Sequence, residues 1–260
     1  MKRKIAICIS GRPRYLEEGF QEINRYILSK YDCDVFIHTW WSSDMSNQAE
    51  QFSPKISYNR SYIYPENTID IIKNLYKPIK ISYEPSKVFN PYQDVNYEPL
   101  VPGAPESMYY SIMKSNDLKI NHENELGFEY DLFIRTRFDL YFKPSVKDGG
   151  NNFQWSPNHS QNVPIFNFDL NTIDKSKIYM ASYGNDQFAI GNSKNMNYYA
   201  NLFNYIDTYY QEEFKEFMSE KLLIHHLSKR LDIEICPPLH EYENIPEYSL
   251  SLLGENIIIL

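Results

Sequence analysis

The sequence predicts an α/β fold built on a mostly parallel sheet, and three observations carry that reading. KIAICIS, Lys4 to Ser10, and DVFIHTWW, Asp34 to Trp41, are short continuous apolar runs, the pattern of strands buried on both faces. Between them, YLEEGFQEINRYILSKY sets Leu16, Phe20, Ile23 and Ile27 at helical spacing, with Glu17, Glu18, Glu22 and Arg25 outside the stripe. Strand, helix, strand in close succession is a βαβ unit, and such units build parallel sheets.

The remaining elements follow in order. Ser42 to Arg60 is polar and aperiodic, so a loop is expected. PENTIDIIKNLY, Pro65 to Tyr76, reads as a helix with Pro at its start, and PIKISYE supplies a third strand. Phe89 to Ser107 is a Pro-rich loop, and loops of that length in compact domains are often functional. A helix from about Pro105 to Ile120 carries Met108, Tyr109, Ile112 and Met113 at helical spacing, and YDLFIRTRFDLYF, Tyr130 to Phe142, is the next strand. Asn151 to Ser176 is Asn- and Pro-rich. KIYMAS and QFAIG are short strands around Gly184-Asn185-Asp186, itself a turn signal. SKNMNYYANLFNYIDTYY and SEKLLIHHLSKR are helices, the second with Ser219 as its cap. LDIEICPP is the last strand, with ENIIIL an edge strand or a buried tail. No internal repeat and no domain boundary emerge, so residues 1–260 read as one domain.

Composition excludes several classes. With 260 residues, 42% of them hydrophobic, the chain can bury a sizeable core. A net charge of -8 argues against a general nucleic-acid binder. Cys8, Cys33 and Cys236 show no metal spacing and no disulfide framework, which fits reduced thiols in a cytoplasmic protein. The basic start MKRK leads into an apolar run too short for a signal peptide, and no stretch is long enough for a transmembrane helix.

The polar residues that interrupt the apolar strands are the functional clue. Ligands of open α/β sheets bind outside the carboxyl ends of the strands. There the sequence places Ser10, Gly11, Arg12, Pro13 and Arg14 after the first strand, His38, Thr39, Trp40 and Trp41 after the second, and Arg135, Arg137 and Asp139 in the Tyr130 strand. Period two puts Phe133, Arg135, Arg137 and Asp139 on one face. Backbone N–H groups of a Ser-Gly turn entering a helix, with guanidinium groups beside them, suit a diphosphate. A carboxylate there suits a divalent cation, and an indole suits a base or a sugar. Each group also has a structural alternative: Arg137 with Asp139 as an ion pair, His38 as a hydrogen-bonded core histidine, Glu220 as a helix-start carboxylate favoured by the dipole.

ISGRPR, DVFIHTW, YDLFIRTRFDLYF, NDQFAIG and SEKLLIHHL, taken in that order, resemble glycosyltransferases of the GT-A fold, among them the WavE-like and related bacterial and viral sugar-transferase-like proteins. The resemblance spans roughly Lys4 to Leu227. It implies a GT-A-like α/β/α sandwich with a Rossmann-like sheet, a nucleotide-binding half over 1–142 and an acceptor-side half over 143–260. It implies donor contacts from Ser10, Gly11, Arg12, His38, Trp40, Arg135, Arg137 and Asp139. Asp139 would hold Mn²⁺ or Mg²⁺, completed by a histidine (His225, His226 or His240, with His225 in the set), while Asp186 and Glu220 would serve the chemistry. Its partners would be a nucleotide-sugar donor and a glycan or glycoconjugate acceptor, with peripheral membrane contact where that acceptor is lipid-linked. One departure stands out: Arg137 occupies the first position of the Asp-x-Asp motif. Two rival readings follow, a non-catalytic nucleotide-sugar or glycan binder on a degenerate scaffold, and a nucleotidyltransferase.

Overall fold

A computed structural model describes residues 3–47, 49–51, 61–97, 100, 102–142, 169–180, 186–236 and 250–252. The strands in chain order are β1 (Ile5–Gly11), β2 (Cys33–Trp40), β3 (Ala49–Gln51), β4 (Ser61–Ile63), β5 (Lys80–Glu84), β6 (Leu132–Thr136), β7 (Leu140–Phe142), β8 (Lys177–Met180), β9 (Ala189–Gly191), β10 (Glu234–Cys236) and β11 (Leu250–Leu252). The α-helices are α1 (Leu16–Ile23), α2 (Thr68–Tyr76), α3 (Ala104–Leu126), α4 (Ser193–Ala200), α5 (Ile206–Gln211) and α6 (Ser219–Ser228).

Seven strands form one sheet in the order β5-β2-β1-β6-β9-β8-β10. All neighbours are parallel except β9, which runs antiparallel to both β6 and β8. Alternation along the strands divides the core. Ile5, Ile7 and Ile9 face one side, packing with Leu16 and Ile23 of α1 and Ile69 and Ile72 of α2. Ala6, Cys8 and Phe133 face the other, packing with Tyr109 and Ile112 of α3, Tyr199 of α4 and Leu223 of α6. The result is an α/β/α sandwich on a mostly parallel sheet, as the apolar runs at Ile5 and Val35 require.

Four expectations need correction. The apolar piece from Tyr130 to Phe142 is not one strand: β6 ends at Thr136, Arg137 to Asp139 turn, and β7 leaves to pair with β11. The break is set by packing, because the Phe138 carbonyl lies against Gly19 of α1, where an added Cβ would stand 1.6 Å from that oxygen. Helix α3 runs six residues past the expected end at Ile120. Its unexpected length goes with a polar inner stripe, in which Ser111, Ser115, Lys119 and Glu123 recur every fourth residue and all are buried. Pro65 stands three residues before α2, where its carbonyl accepts both the N–H and the hydroxyl of Thr68. Ser219 is the first residue inside α6 rather than its cap.

Candidate functional site at the carboxyl ends of β1 and β6

The chain runs from β1 to β2 on one side of the sheet centre and returns to β6 on the other side of β1, so the strand order reverses between β1 and β6. A crevice opens outside the strand ends at such a switch point. The last registered pair there is Ile9 with Thr136; the next residues are Ser10 and Arg137.

The β1 end is a strained, tightly held turn. Gly11 has φ 110°, a conformation that L side chains rarely adopt, and Tyr15 at the start of α1 has φ 51°. Between them Arg14 N–H donates to the Arg12 carbonyl at 2.9 Å, a three-residue turn about Pro13. The Gly11 N–H donates to Ser111 Oγ at 2.9 Å and its carbonyl accepts from Thr39 Oγ1 at 2.8 Å, so both backbone groups of Gly11 are held by protein and its N–H is not offered to a phosphate. Ser10 Oγ is buried and has no hydrogen-bond partner among the described residues.

His38 explains how that turn is held. Its Nδ1 lies 2.8 Å from Ser111 Oγ and its Nε2 lies 3.1 Å from Glu84 Oε1. The Glu84 carboxylate can only accept, so Nε2 carries a proton and donates to it, and Nδ1 of a neutral ring then accepts from the Ser111 hydroxyl, which itself accepts from Gly11. The chain of hydrogen bonds from Gly11 through Ser111 and His38 to its acceptor Glu84 is fully consistent with a neutral ring. Burial lowers the His38 pKa to about 4, against the opposing pull of Glu84. His38 is therefore a buried support of the loop, not a donor contact. Trp40 is likewise spent on the protein: it is 3% exposed, with its ring stacked on Tyr110 at 5.5 Å and edge-on to His38.

The β6 end carries two charged groups on opposite sides of the sheet. Asp139, 1% exposed, is gripped by Arg137 through Nε–Oδ1 at 2.9 Å and a second contact, NH2–Oδ2, at 3.1 Å, with Arg14 NH2 at 3.3 Å from Oδ2. Burial pushes its carboxyl up, but Arg137 and Arg14 outweigh that and hold it below the usual range. Arg135 turns the other way, beneath α3 and α4. It donates to the Gln187 carbonyl, and its Nε has no partner among the described residues. The expectation that Arg135 and Asp139 share a face fails because the turn at Arg137 ends the alternation.

Asp186 comes to the same rim by a different route. Because β9 is reversed, its N-terminal approach lies where the parallel strands end. Asp186 is buried beside Arg135 and takes a hydrogen bond from the Ser219 hydroxyl at the start of α6. Burial raises its pKa against Arg135, Arg137 and Ser219. Tyr109, whose hydroxyl donates to the Ser219 carbonyl at 2.6 Å, lies in the field of both Asp186 and Glu220. The two carboxylates expected to act in chemistry are thus brought to one place. The Tyr199 hydroxyl, fully buried in the field of Arg135 and Asp186, has no partner among the described residues.

Among the described residues the expected metal set does not assemble. Both Asp139 oxygens are taken by guanidinium groups. His225 stacks on Phe214 at 4.1 Å and lies 3.9 Å from Glu212. His226 is a core residue, with Nδ1 2.6 Å from the Tyr209 hydroxyl and Nε2 2.8 Å from the Tyr198 carbonyl. Among the described residues no group of three or more His, Cys, Asp or Glu could hold a metal ion. Asn185 and His240 lie outside the described residues, as do Gly184 and the ENIIIL tail.

Ser111 and Glu84 were not singled out by sequence, and Arg14, Tyr109 and Tyr199 were noted without an assigned role. A signal existed for Ser111: its four-residue repeat with Ser115, Lys119 and Glu123 marks a polar stripe that a surface helix would not need. No family model matches the chain, and no curated protein matches it. Among the described residues no helix is long and apolar enough to cross a membrane.

Proposed function

We propose that the chain is a sugar-nucleotide-dependent glycosyltransferase of GT-A type whose donor diphosphate is neutralised by arginines instead of a divalent cation. The observation that carries the reading is the switch-point rim, where Arg12 and Arg14 follow the end of β1, Arg137 follows the end of β6, and a buried Asp186 lies in the field of Arg135 and Arg137. Guanidinium groups match phosphate oxygens in charge and geometry. The orphaned Ser10 Oγ and Arg135 Nε add unused hydrogen-bond capacity at that end of the sheet. The single reversed strand in an otherwise parallel sheet is compatible with the expected sandwich.

In the reaction an acceptor hydroxyl attacks the anomeric carbon. A new C–O bond forms, the bond to the diphosphate oxygen breaks, and Asp186 takes the hydroxyl proton. The departing nucleoside diphosphate carries away the electron pair, stabilised by Arg12 and Arg137. A raised pKa makes Asp186 a stronger base than an exposed carboxylate.

The test is product analysis across nucleotide-sugar donors and glycan acceptors, with Asp186→Asn as the variant. Free nucleoside diphosphate should appear, and Asp186→Asn should lower turnover by about 10²–10⁴-fold with donor affinity kept. Near-normal turnover in that variant removes Asp186 from the base role. Nucleotide binding without turnover in any pair would favour a non-catalytic binder, the reading that the locked Asp139 also suits. Release of pyrophosphate would indicate nucleotidyl transfer.

A further inference from the structure

We infer that the chain forms a two-fold symmetric dimer by antiparallel pairing of β5 with β5 of a second copy. Strand β5 is the terminal strand of the seven-stranded sheet, and among the described residues no strand pairs with its outer side. An open edge is a row of backbone donors and acceptors waiting for a partner. On its inner side, with Trp40 opposite Glu84 and His38 opposite Ser82, the Trp41 N–H donates to the Glu84 carbonyl at 2.8 Å. Alternation then turns the N–H and C=O of Lys80, Ser82 and Glu84 toward β2, and those of Ile81 and Tyr83 outward.

The side chains select both the partner and the register. The strand reads Lys80, Ile81, Ser82, Tyr83, Glu84. In a second copy running antiparallel with Ser82 on the two-fold axis, Lys80 faces Glu84 and Ile81 faces Tyr83, twice each. Shifting the centre to Ile81 or Tyr83 sets a charge against Ser82, and parallel pairing in register sets like charges against each other, which is unfavourable. The sequence of the edge is therefore complementary to itself in one register only, and a two-fold axis closes the assembly at two chains.

Exposure points the same way. Tyr83 in this strand and Ile79 just before it are 51% and 48% exposed; the other four exposed large hydrophobics among the described residues do not share a strand with one another. Aromatic and β-branched side chains opposed across strands stabilise the pair. The partners that must exchange are exposed: Lys80 meets Glu125, 57% exposed, and Glu84 Oε2, the oxygen that His38 does not take, meets Lys87, 43% exposed.

Light scattering on the full chain over a dilution series tests this. Wild type should approach twice the 30.9 kDa of one chain. Tyr83→Pro should be monomeric and folded by circular dichroism, because the lost N–H points outward and costs the sheet no ladder bond. Lys80→Glu alone and Glu84→Lys alone should each weaken self-association by on the order of tenfold or more. Mixing those two single variants should restore the dimer, since every opposed pair is then of opposite charge. That recovery is informative even where Tyr83→Pro fails to fold. A monomeric wild type at its highest soluble concentration overturns the inference. So does a dimer indifferent to Lys80→Glu, which would locate the contact elsewhere, or a mixture that stays monomeric.

Discussion

Replacing Asp139 by Asn separates a structural clamp from a metal ligand. The carboxylate is 1% exposed and bridges Arg137 and Arg14. Removing one partner of a buried ion pair costs about 3–5 kcal/mol where the remaining charge stays dry. Here the remaining guanidinium groups are 20% and 13% exposed and can recruit water. Asn also keeps the volume and one acceptor, so about 2–3 kcal/mol is the expected loss. With an unfolding entropy of about 2.1 cal/mol/K per residue, that lowers Tm by about 4–6 °C. The same change leaves Arg14 and Arg137 without their anion, so nucleoside diphosphate binding in EDTA should persist or tighten. Thermal melts of wild type and Asp139→Asn, each with UDP, GDP, CMP and dTDP in EDTA and in Mn²⁺, measure both effects. An unchanged Tm together with a Mn²⁺-dependent nucleotide shift that vanishes in the variant would refute the clamp and restore Asp139 as a metal ligand.

Other outcomes follow from groups described above. Lys119, fully buried, pairs with Glu123 at 2.7 Å and also donates to Ser193, so Lys119→Met should cost about 3–5 kcal/mol in urea unfolding. Lys119→Met with Glu123→Leu should cost less than Lys119→Met alone, and a double variant that is worse would show that no coupling exists. His38 and His226 both have pKa values lowered to about 4 by burial, against about 6.5 when unfolded. The unfolded chain takes up protons first, so this stability is complete above pH 6.5 and drains away as pH falls toward 4, up to about 3 kcal/mol per ring. Asp186, with its raised pKa, acts in the opposite sense, so the rings are best followed singly by imidazole NMR. A native-state midpoint at pH 6 or above for either ring contradicts the assignment. Gly19→Ala should destabilise by about 3 kcal/mol or more, because its Cβ would meet the Phe138 carbonyl. A neutral result in a urea melt would mean that α1 and the Arg137 turn do not touch as described.

How much of this was legible in the sequence depends on how local its cause is. The strands at Ile5 and Val35 and the helix at Leu16 show themselves by pattern, because burial on one or both faces writes a period into the residues. Helix α3 is less legible: its buried stripe is made of Ser, Lys and Glu, so its amphipathic contrast is weak. The break in the Tyr130 strand has a long-range cause, contact with Gly19, which no window around Arg137 contains. At the site, Ser10, Gly11, Arg137, Asp139 and Asp186 were identifiable as polar groups at strand ends. Their roles were less so. Whether a carboxylate holds a cation or two arginines depends on what approaches it from other elements, and Arg14 approaches Asp139 from the other side of the sheet centre.

The place of β6 in the sheet has a consequence for how the chain is made. Strand β1 is complete by Gly11 and finds β2 by Trp40, but its other neighbour ends only at Thr136. At about 5–20 residues per second, a ribosome needs roughly 5–20 s to cover that interval. Throughout it, the apolar run from Ile5 to Ile9 stands with one edge open, and α3 is finished before β6 can dock. A chain with its central pairing so far apart in sequence folds slowly for its size and is most vulnerable to self-association while it is still attached to the ribosome.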